Sequence, residues 1–71
     1  MEKIKEILAS LRPEFDFETS EDFVEDGYLD SFDIATLVME LEKEFSCVID
    51  GMDITPANFA SYQAIYDLVN K

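Results

Sequence analysis

The sequence predicts an all-α fold with three longer helices and one short third helix. Apolar residues recur every three or four positions in three segments, which is the spacing of amphipathic helices. No segment alternates between apolar and polar residues over a useful length, so the pattern offers no candidate strand. The chain has 71 residues, of which 48% are hydrophobic, and we expect one small domain over residues 1–71.

The first helix is predicted from five apolar residues at helical spacing, Met1, Ile4, Ile7, Leu8 and Leu11. Pro13 must end this helix, because a proline ring clashes with the preceding helical turn. A long acidic connection without a sustained period follows, from Arg12 to Asp30. Loops of this length in compact domains are usually functional or contain a helical turn. We expect the apolar residues of the connection to pin it to the core: Phe15, Phe17, Phe23, Val24, Tyr28 and Leu29.

The second helix, predicted from Ser31 to Phe45, is the best-marked element. Asp30 or Ser31 can serve as its N-cap, and Asp33 in the first turn suits the helix dipole. At about 100° per residue, one face collects the expected core residues Ile34, Leu37, Val38, Leu41, Phe45 and Val48. The opposite face carries Phe32, Ala35, Thr36, Met39 and Lys43. Its large apolar side chains either pack under the acidic loop or form an interaction surface, and we favour the second interpretation.

The last third of the chain predicts a turn, a short helix and a final helix. Asp50-Gly51 is typical of a turn, and Thr55-Pro56 is a helix start in which a capping hydroxyl precedes proline. That third helix is short and is expected to end near Phe59 or Ala60. Ser61 is expected to cap the final helix, whose apolar stripe contains Tyr62, Ile65, Leu68 and Val69.

The charge of the chain limits its partners. There are 17 Asp and Glu residues against 5 Lys and Arg, a net charge of −12. Such a surface repels nucleic acid and anionic membranes and favours partners with basic patches. Self-repulsion predicts a monomer whose stability is sensitive to salt and divalent cations. The N-terminal residues lack the apolar run of a signal peptide and no stretch is long enough to span a membrane, so we expect a cytoplasmic protein without membrane insertion.

The residue types argue against an enzyme and against a metal site. The sequence has no His, so a Ser–His pair is impossible, and Lys43 lies about three helical turns from Ser31. The single Cys47, expected to be a small buried residue, excludes an internal disulfide and a cysteine cluster. An EF-hand register over the acidic loop puts Val24 at a ligand position and Asp33 in place of the bidentate Glu. We therefore predict no catalytic residues and no specific metal site.

Three segments resemble the acyl carrier protein family at the expected spacings. Residues 27–33, GYLDSFD, look like the phosphopantetheine attachment motif of acyl and peptidyl carriers, Asp-Ser followed by Leu, Phe or Met. Residues 37–45 are very similar to the recognition helix of carriers. Residues 54–59, with Ser61 and Ile65, resemble the segment that supplies the family's third and fourth helices. The resemblance covers essentially the whole chain.

The resemblance implies an acyl-carrier-like four-helix bundle. It also implies a stand-alone carrier that is itself a substrate of partner enzymes. Ser31 would receive 4′-phosphopantetheine from coenzyme A through a phosphopantetheinyl transferase, and Asp30 belongs to the attachment motif. An acyl or aminoacyl group would then be held on the arm as a thioester. The implied partner surface contains Phe32, Asp33, Ala35, Met39, Glu40 and Glu42. It would meet the transferase, adenylating ligases specific for acyl or aminoacyl groups, and acyl-transfer enzymes, all with basic docking surfaces.

Departures from the fatty-acid type of carrier leave the cargo open. Tyr28-Leu29 replaces the common Gly-Ala or Gly-Gly, and Thr36 and Lys43 stand where further acids are usual. Phe32, which stands after the serine in place of Leu, is similar to the residue at this position in D-alanyl carriers and in other carriers that are served by separate adenylating ligases. Fatty acyl, D-alanyl and other cargoes all remain possible at this point. The alternative is an acidic helical adaptor without a prosthetic group, in which Ser31 is only a helix cap.

Overall fold

The computed structural model describes residues 2–70, which form an all-helical fold and contain no strand. The three α-helices are α1 (Glu2–Leu11), α2 (Ser31–Phe45) and α3 (Tyr62–Val69). Single turns of 3-10 helix occupy Phe17–Thr19, Gly51–Asp53 and Pro56–Phe59. The predicted all-α class is confirmed. Met1, assigned above to the first helix, lies outside the described residues, and no helix within residues 2–70 is long and apolar enough to cross a membrane.

The predicted short third helix is a 3-10 turn, so the described chain has three α-helices where a four-helix bundle was expected. Thr55 caps this turn through its side chain and Pro56 occupies its first position, as the sequence predicted. The turn ends at Phe59, and Ser61 already caps α3 by accepting a hydrogen bond from the Ala64 N–H. Only five residues lie between the caps Thr55 and Ser61, which leaves almost no room for the i→i+4 bonds of an α-helix, and 3-10 geometry is usual in such short pieces.

The core lies where the three α-helices meet the long connection between α1 and α2. Helix α2 contributes most, and its buried apolar residues match the predicted core face between residues 34 and 41. Their burial follows from the helical period, which brings positions three and four apart onto one side. The buried apolar side chains are Ile4, Leu8, Phe17, Phe23, Leu29, Ile34, Leu37, Val38, Leu41, Ile49, Phe59, Ile65 and Leu68.

Aromatic contacts pin the long acidic connection to the core, which confirms the role predicted for its apolar residues. The Phe23 ring is edge-on to Phe17 and to Tyr62 of α3, at centroid distances of 5.0 and 5.1 Å. Phe17 is also edge-on to Tyr28, at 5.5 Å. The Phe23 N–H donates to the Ala60 carbonyl at 2.8 Å, so the loop is fastened by its backbone as well. Phe17 itself begins a helical turn inside the connection.

Helix α2 ends at Phe45, as predicted, but Val48 beyond it does not lie on the core face. Ser46 adopts the left-handed conformation, with φ 50° and ψ 44°, and this turns the chain away from the helix axis. Val48 was expected on the core face, but the residue is 91% exposed, because the regular helix does not continue past Phe45. Ile49 is buried instead. Its N–H donates to the Glu42 carboxylate at 2.9 Å, which holds the returning chain against α2.

Candidate functional site

Ser31 is the first residue of α2, directly after a carboxylate cap. Asp30 is the N-cap: its backbone is extended and its Oδ1 accepts from the Asp33 N–H at 2.8 Å. Asp33 Oδ2 in turn accepts from the Asp30 N–H at 3.4 Å, which completes a capping box. The sequence left Asp30 and Ser31 as alternative caps, and the structure assigns the cap to Asp30. The Ser31 hydroxyl is therefore not required to begin the helix.

The Ser31 hydroxyl is exposed and has no hydrogen-bond partner among residues 2–70. Ser31 is the first residue of a 15-residue helix, so its backbone conformation and the direction of its side chain from the helix are fixed. The first turn of a helix presents N–H groups that lack carbonyl partners, and the helix dipole adds a partial positive charge there. An exposed hydroxyl at this point can react with an electrophilic phosphate, and the helix end favours a phosphodiester once it is formed.

The Arg12 side chain stabilises the first turn of α2 through its bonds to Asp33. It lies just past the end of α1, and its guanidinium bonds to Asp33 Oδ2 through Nε at 2.9 Å and Nη2 at 2.8 Å. Nη1 also reaches Glu14 at 3.2 Å, and Nη2 lies 3.9 Å from Asp30 Oδ2. The bond to Asp33 is the largest factor raising the pKa of Arg12. The pKa of Asp30 is lowered, chiefly because its carboxylate accepts from the Asp33 backbone N–H.

This arrangement corrects the predicted role of Asp33. The sequence placed Asp33 on the partner surface, but Asp33 is only 5% exposed. It is buried because Arg12 and the capping box enclose its carboxylate. The sequence analysis did not identify Arg12 as part of the site. The two residues are 21 positions apart, so no local spacing links them. The available signal was composition: Arg12 is the only Arg of the chain, and it follows the first predicted helix.

Most of the other residues predicted for the partner surface are exposed on α2. Phe32 and Met39 are 78% and 70% exposed, so they do not pack under the acidic loop. Ala35 lies between them along the helix and is also exposed. We call Phe32, Ala35 and Met39 the exposed strip. Glu40 beside the strip is exposed.

Glu42 differs from these residues, because its half-buried carboxylate accepts the Ile49 N–H and thereby stabilises the loop after α2. Cys47 in that loop is half-buried, with its Sγ 3.9 Å from the Leu41 carbonyl oxygen. Among residues 2–70, no three His, Cys, Asp or Glu side chains are grouped so that they could hold a metal ion. The chemistry of this region therefore rests on the Ser31 hydroxyl, its capped helix and the exposed strip.

Comparison with known families finds a match to a family described as the phosphopantetheine attachment site, over residues 2–70. Comparisons with curated proteins and with solved structures give no match. The residues at the start of α2 fit a covalently attached phosphopantetheine. Ser31 offers an exposed hydroxyl that no other described residue uses, and the helix end beneath it favours a phosphate.

Proposed function

This chain belongs to the phosphopantetheine attachment-site family, and on that premise we propose that it is a carrier protein whose arm is attached to Ser31. Domains of this family carry covalently bound 4′-phosphopantetheine. The observation that carries the proposal is the exposed Ser31 hydroxyl, which has no partner within residues 2–70 and stands at the start of a helix capped by Asp30. The carrier presents an acyl or aminoacyl group, bound as a thioester, to its partner enzymes.

Attachment of the arm requires a nucleophile from this chain and a base from the transferase. The Ser31 Oγ attacks the phosphorus of the coenzyme A diphosphate that bears the pantetheine, and a new O–P bond forms. The bond from that phosphorus to the bridging oxygen breaks, and adenosine 3′,5′-bisphosphate leaves. The Ser31 proton passes to a base of the enzyme. When bound, the arm supplies a terminal thiol for thioester formation.

The chain's own residues orient Ser31 and present a docking surface. The capping box and the Arg12–Asp33 bonds define the backbone on both sides of Ser31. The exposed strip offers apolar contacts along the first two to three turns of α2 after Ser31. A basic partner is attracted by the net charge of −12. We propose that the transferase, adenylating ligases and acyl-transfer enzymes approach on this side, and that they do so in the cytoplasm.

We further propose a specialised acid as cargo, loaded by a dedicated ligase, with D-alanine as one candidate among several. Phe32 supports this preference, because it is exposed and because a Phe directly after the serine resembles the motif of D-alanyl carriers. Tyr28 and Leu29 support it less, because both serve the packing of the loop: Tyr28 stacks on Phe15 at 4.6 Å and Leu29 is buried. The adenylating or condensing enzyme selects the acid, and the carrier raises its effective concentration at the docked enzyme.

The test is intact mass after incubation of the apo protein with coenzyme A and a broad-specificity phosphopantetheinyl transferase. We expect the addition of one phosphopantetheine to the wild type and none to Ser31→Ala, whose circular dichroism should remain helical because Asp30 provides the cap. No addition to the wild type by several transferases would contradict the carrier proposal and favour the adaptor. The modified protein is then offered a panel of ligases, and efficient malonyl loading and elongation would contradict the specialised cargo alone.

A further inference from the structure

A groove of about 420 Å³ lies between α1 and α2, outside the region assigned to the arm. Its lining includes Glu6, Ile7 and Leu11 of α1 and Thr36, Glu40 and Glu44 of α2. Thr36 lies one turn after Phe32, and its hydroxyl donates to the Phe32 carbonyl at 3.3 Å. Glu40 directly follows Met39 in the sequence. The groove therefore adjoins the exposed strip, and one partner can contact both.

The groove combines an apolar part with uncompensated negative charge. Ile7 and Leu11 are half-buried and pack against the edge of the core. Three carboxylates line the groove against one cation, Lys3, whose Nζ lies 3.6 Å from Glu44. Glu6 and Glu40 are exposed and form no ion pair within residues 2–70. A ligand with an alkyl stem and a cationic head matches this lining.

We propose that the groove binds an arginine side chain of a partner protein that also covers the exposed strip. The alkyl stem of arginine packs on Ile7 and Leu11, and its guanidinium bonds to the free carboxylates. Arginine suits the groove better than lysine, because its planar head can donate to two carboxylates at once and is more weakly hydrated. The proposal rests on the proposed docking of partners at the exposed strip and extends that surface from α2 to α1. It does not require modification of Ser31.

Two other occupants fit the groove less well. A second copy of this chain carries the same net charge of −12, and its single arginine already bonds to Asp33. The phosphodiester of an arm attached to Ser31 is an anion, and the groove carboxylates repel it. A basic partner meets neither obstacle.

The experiment is an NMR titration of the ¹⁵N-labelled apo protein at constant ionic strength. The probe is N-acetyl-L-arginine methylamide, and the matched control is the citrulline analogue, which has nearly the same shape without the charge. We expect saturable shifts of the Ile7, Thr36 and Glu40 amides with the arginine probe and clearly weaker binding of the citrulline analogue. Equal binding of the two probes, or shifts spread over all acidic segments, would overturn the proposal.

Paired variants separate the groove from the overall charge. Glu6→Gln with Glu40→Gln should weaken arginine binding about two- to fivefold, the usual effect of exposed charge pairs. Glu21→Gln with Glu25→Gln removes the same charge from exposed positions outside the groove and should leave the affinity unchanged. Equal weakening by both pairs would contradict a specific site. Shifts of the same groove amides on raising protein concentration, or on attaching the arm, would assign the groove to a second copy or to the arm instead.

Discussion

Asp33 shows how one buried carboxylate joins two distant parts of this chain. It bonds to the Arg12 guanidinium after α1, and it closes the capping box with Asp30 at the start of α2. Burying a charge is costly unless it is paired and hydrogen-bonded, and Asp33 meets both conditions. Loss of the arginine would leave the carboxylate enclosed without compensation. The residue therefore matters more to stability than an exposed acid in the same turn would.

We expect Arg12→Met to lower the free energy of unfolding more than the loss of an exposed ion pair does, because it leaves the carboxylate of Asp33 without its cation while keeping the alkyl stem. Urea unfolding followed by circular dichroism measures the loss. The matched control is Lys3→Met, which breaks the exposed pair with Glu44 and should cost at most about 1 kcal/mol. Adding Asp33→Asn to Arg12→Met should recover part of the loss, since a neutral amide is cheaper to bury. An effect no larger than that of the control would show that the pair stabilises nothing.

At the scale of the element, α2 has one face for the core and another for partners. Leu37 and Leu41 are fully buried, whereas Phe32 and Met39 are more than two-thirds exposed. Both faces were predicted from the helical period, because residues on a regular helix keep a fixed angular relation. The helix also begins and ends at the predicted residues 31 and 45.

We expect opposite effects from substitutions on these two faces. Met39→Glu should change the free energy of unfolding little, since the site is exposed, and should slow phosphopantetheine transfer by removing an apolar contact from the exposed strip. Leu41→Ala should cost about 2–5 kcal/mol, the usual range for truncating a buried leucine. Denaturant unfolding and transferase kinetics measure the two properties separately. Unfolding of the protein by Met39→Glu would mean that the faces are assigned incorrectly.

Sequence reasoning succeeded within elements and failed where distant segments meet. Ser61 and Pro56 mark their helix starts through local hydrogen bonds and fixed backbone angles, so their roles were predictable. Val48 was misplaced because a left-handed residue ended the helix two positions earlier, and Ser46 gives no strong signal for that conformation. The burial of Asp33 depends on a partner in another segment, which no local pattern contains.

At the scale of the whole molecule, charge acts over distances comparable with the fold itself. The described chain measures 27 × 22 × 20 Å and carries most of its acids on the surface. The Debye length is about 30 Å at 0.01 M salt and about 8 Å at 0.15 M. At low salt every acid therefore repels the others across the molecule, whereas at the higher concentration only neighbours interact. The exposed ion pairs Lys3–Glu44 and Lys5–Glu18 are too few to offset this repulsion.

We expect the thermal midpoint of unfolding to rise between 0.01 and 0.15 M NaCl, as screening of repulsion outweighs screening of the few ion pairs. Differential scanning calorimetry measures the change. MgCl₂ should act at lower concentrations but without a defined stoichiometry, because residues 2–70 contain no grouped ligands for a metal ion. The Glu21→Gln, Glu25→Gln variant should show a smaller rise. A midpoint that falls with salt would mean that attractive pairs dominate the surface.

The side-chain caps described above also bear on how fast the protein folds. Asp16, Asp50 and Ser61 each accept from an N–H two or three residues ahead, so every such bond closes a very short loop. Short loops lose little entropy on closure, and folding rates rise as contacts become more local in sequence. The starts of the helical segments can thus form early, before the Phe23 N–H finds the Ala60 carbonyl. We expect contacts this local to give a small, strongly charged chain rapid folding despite its self-repulsion.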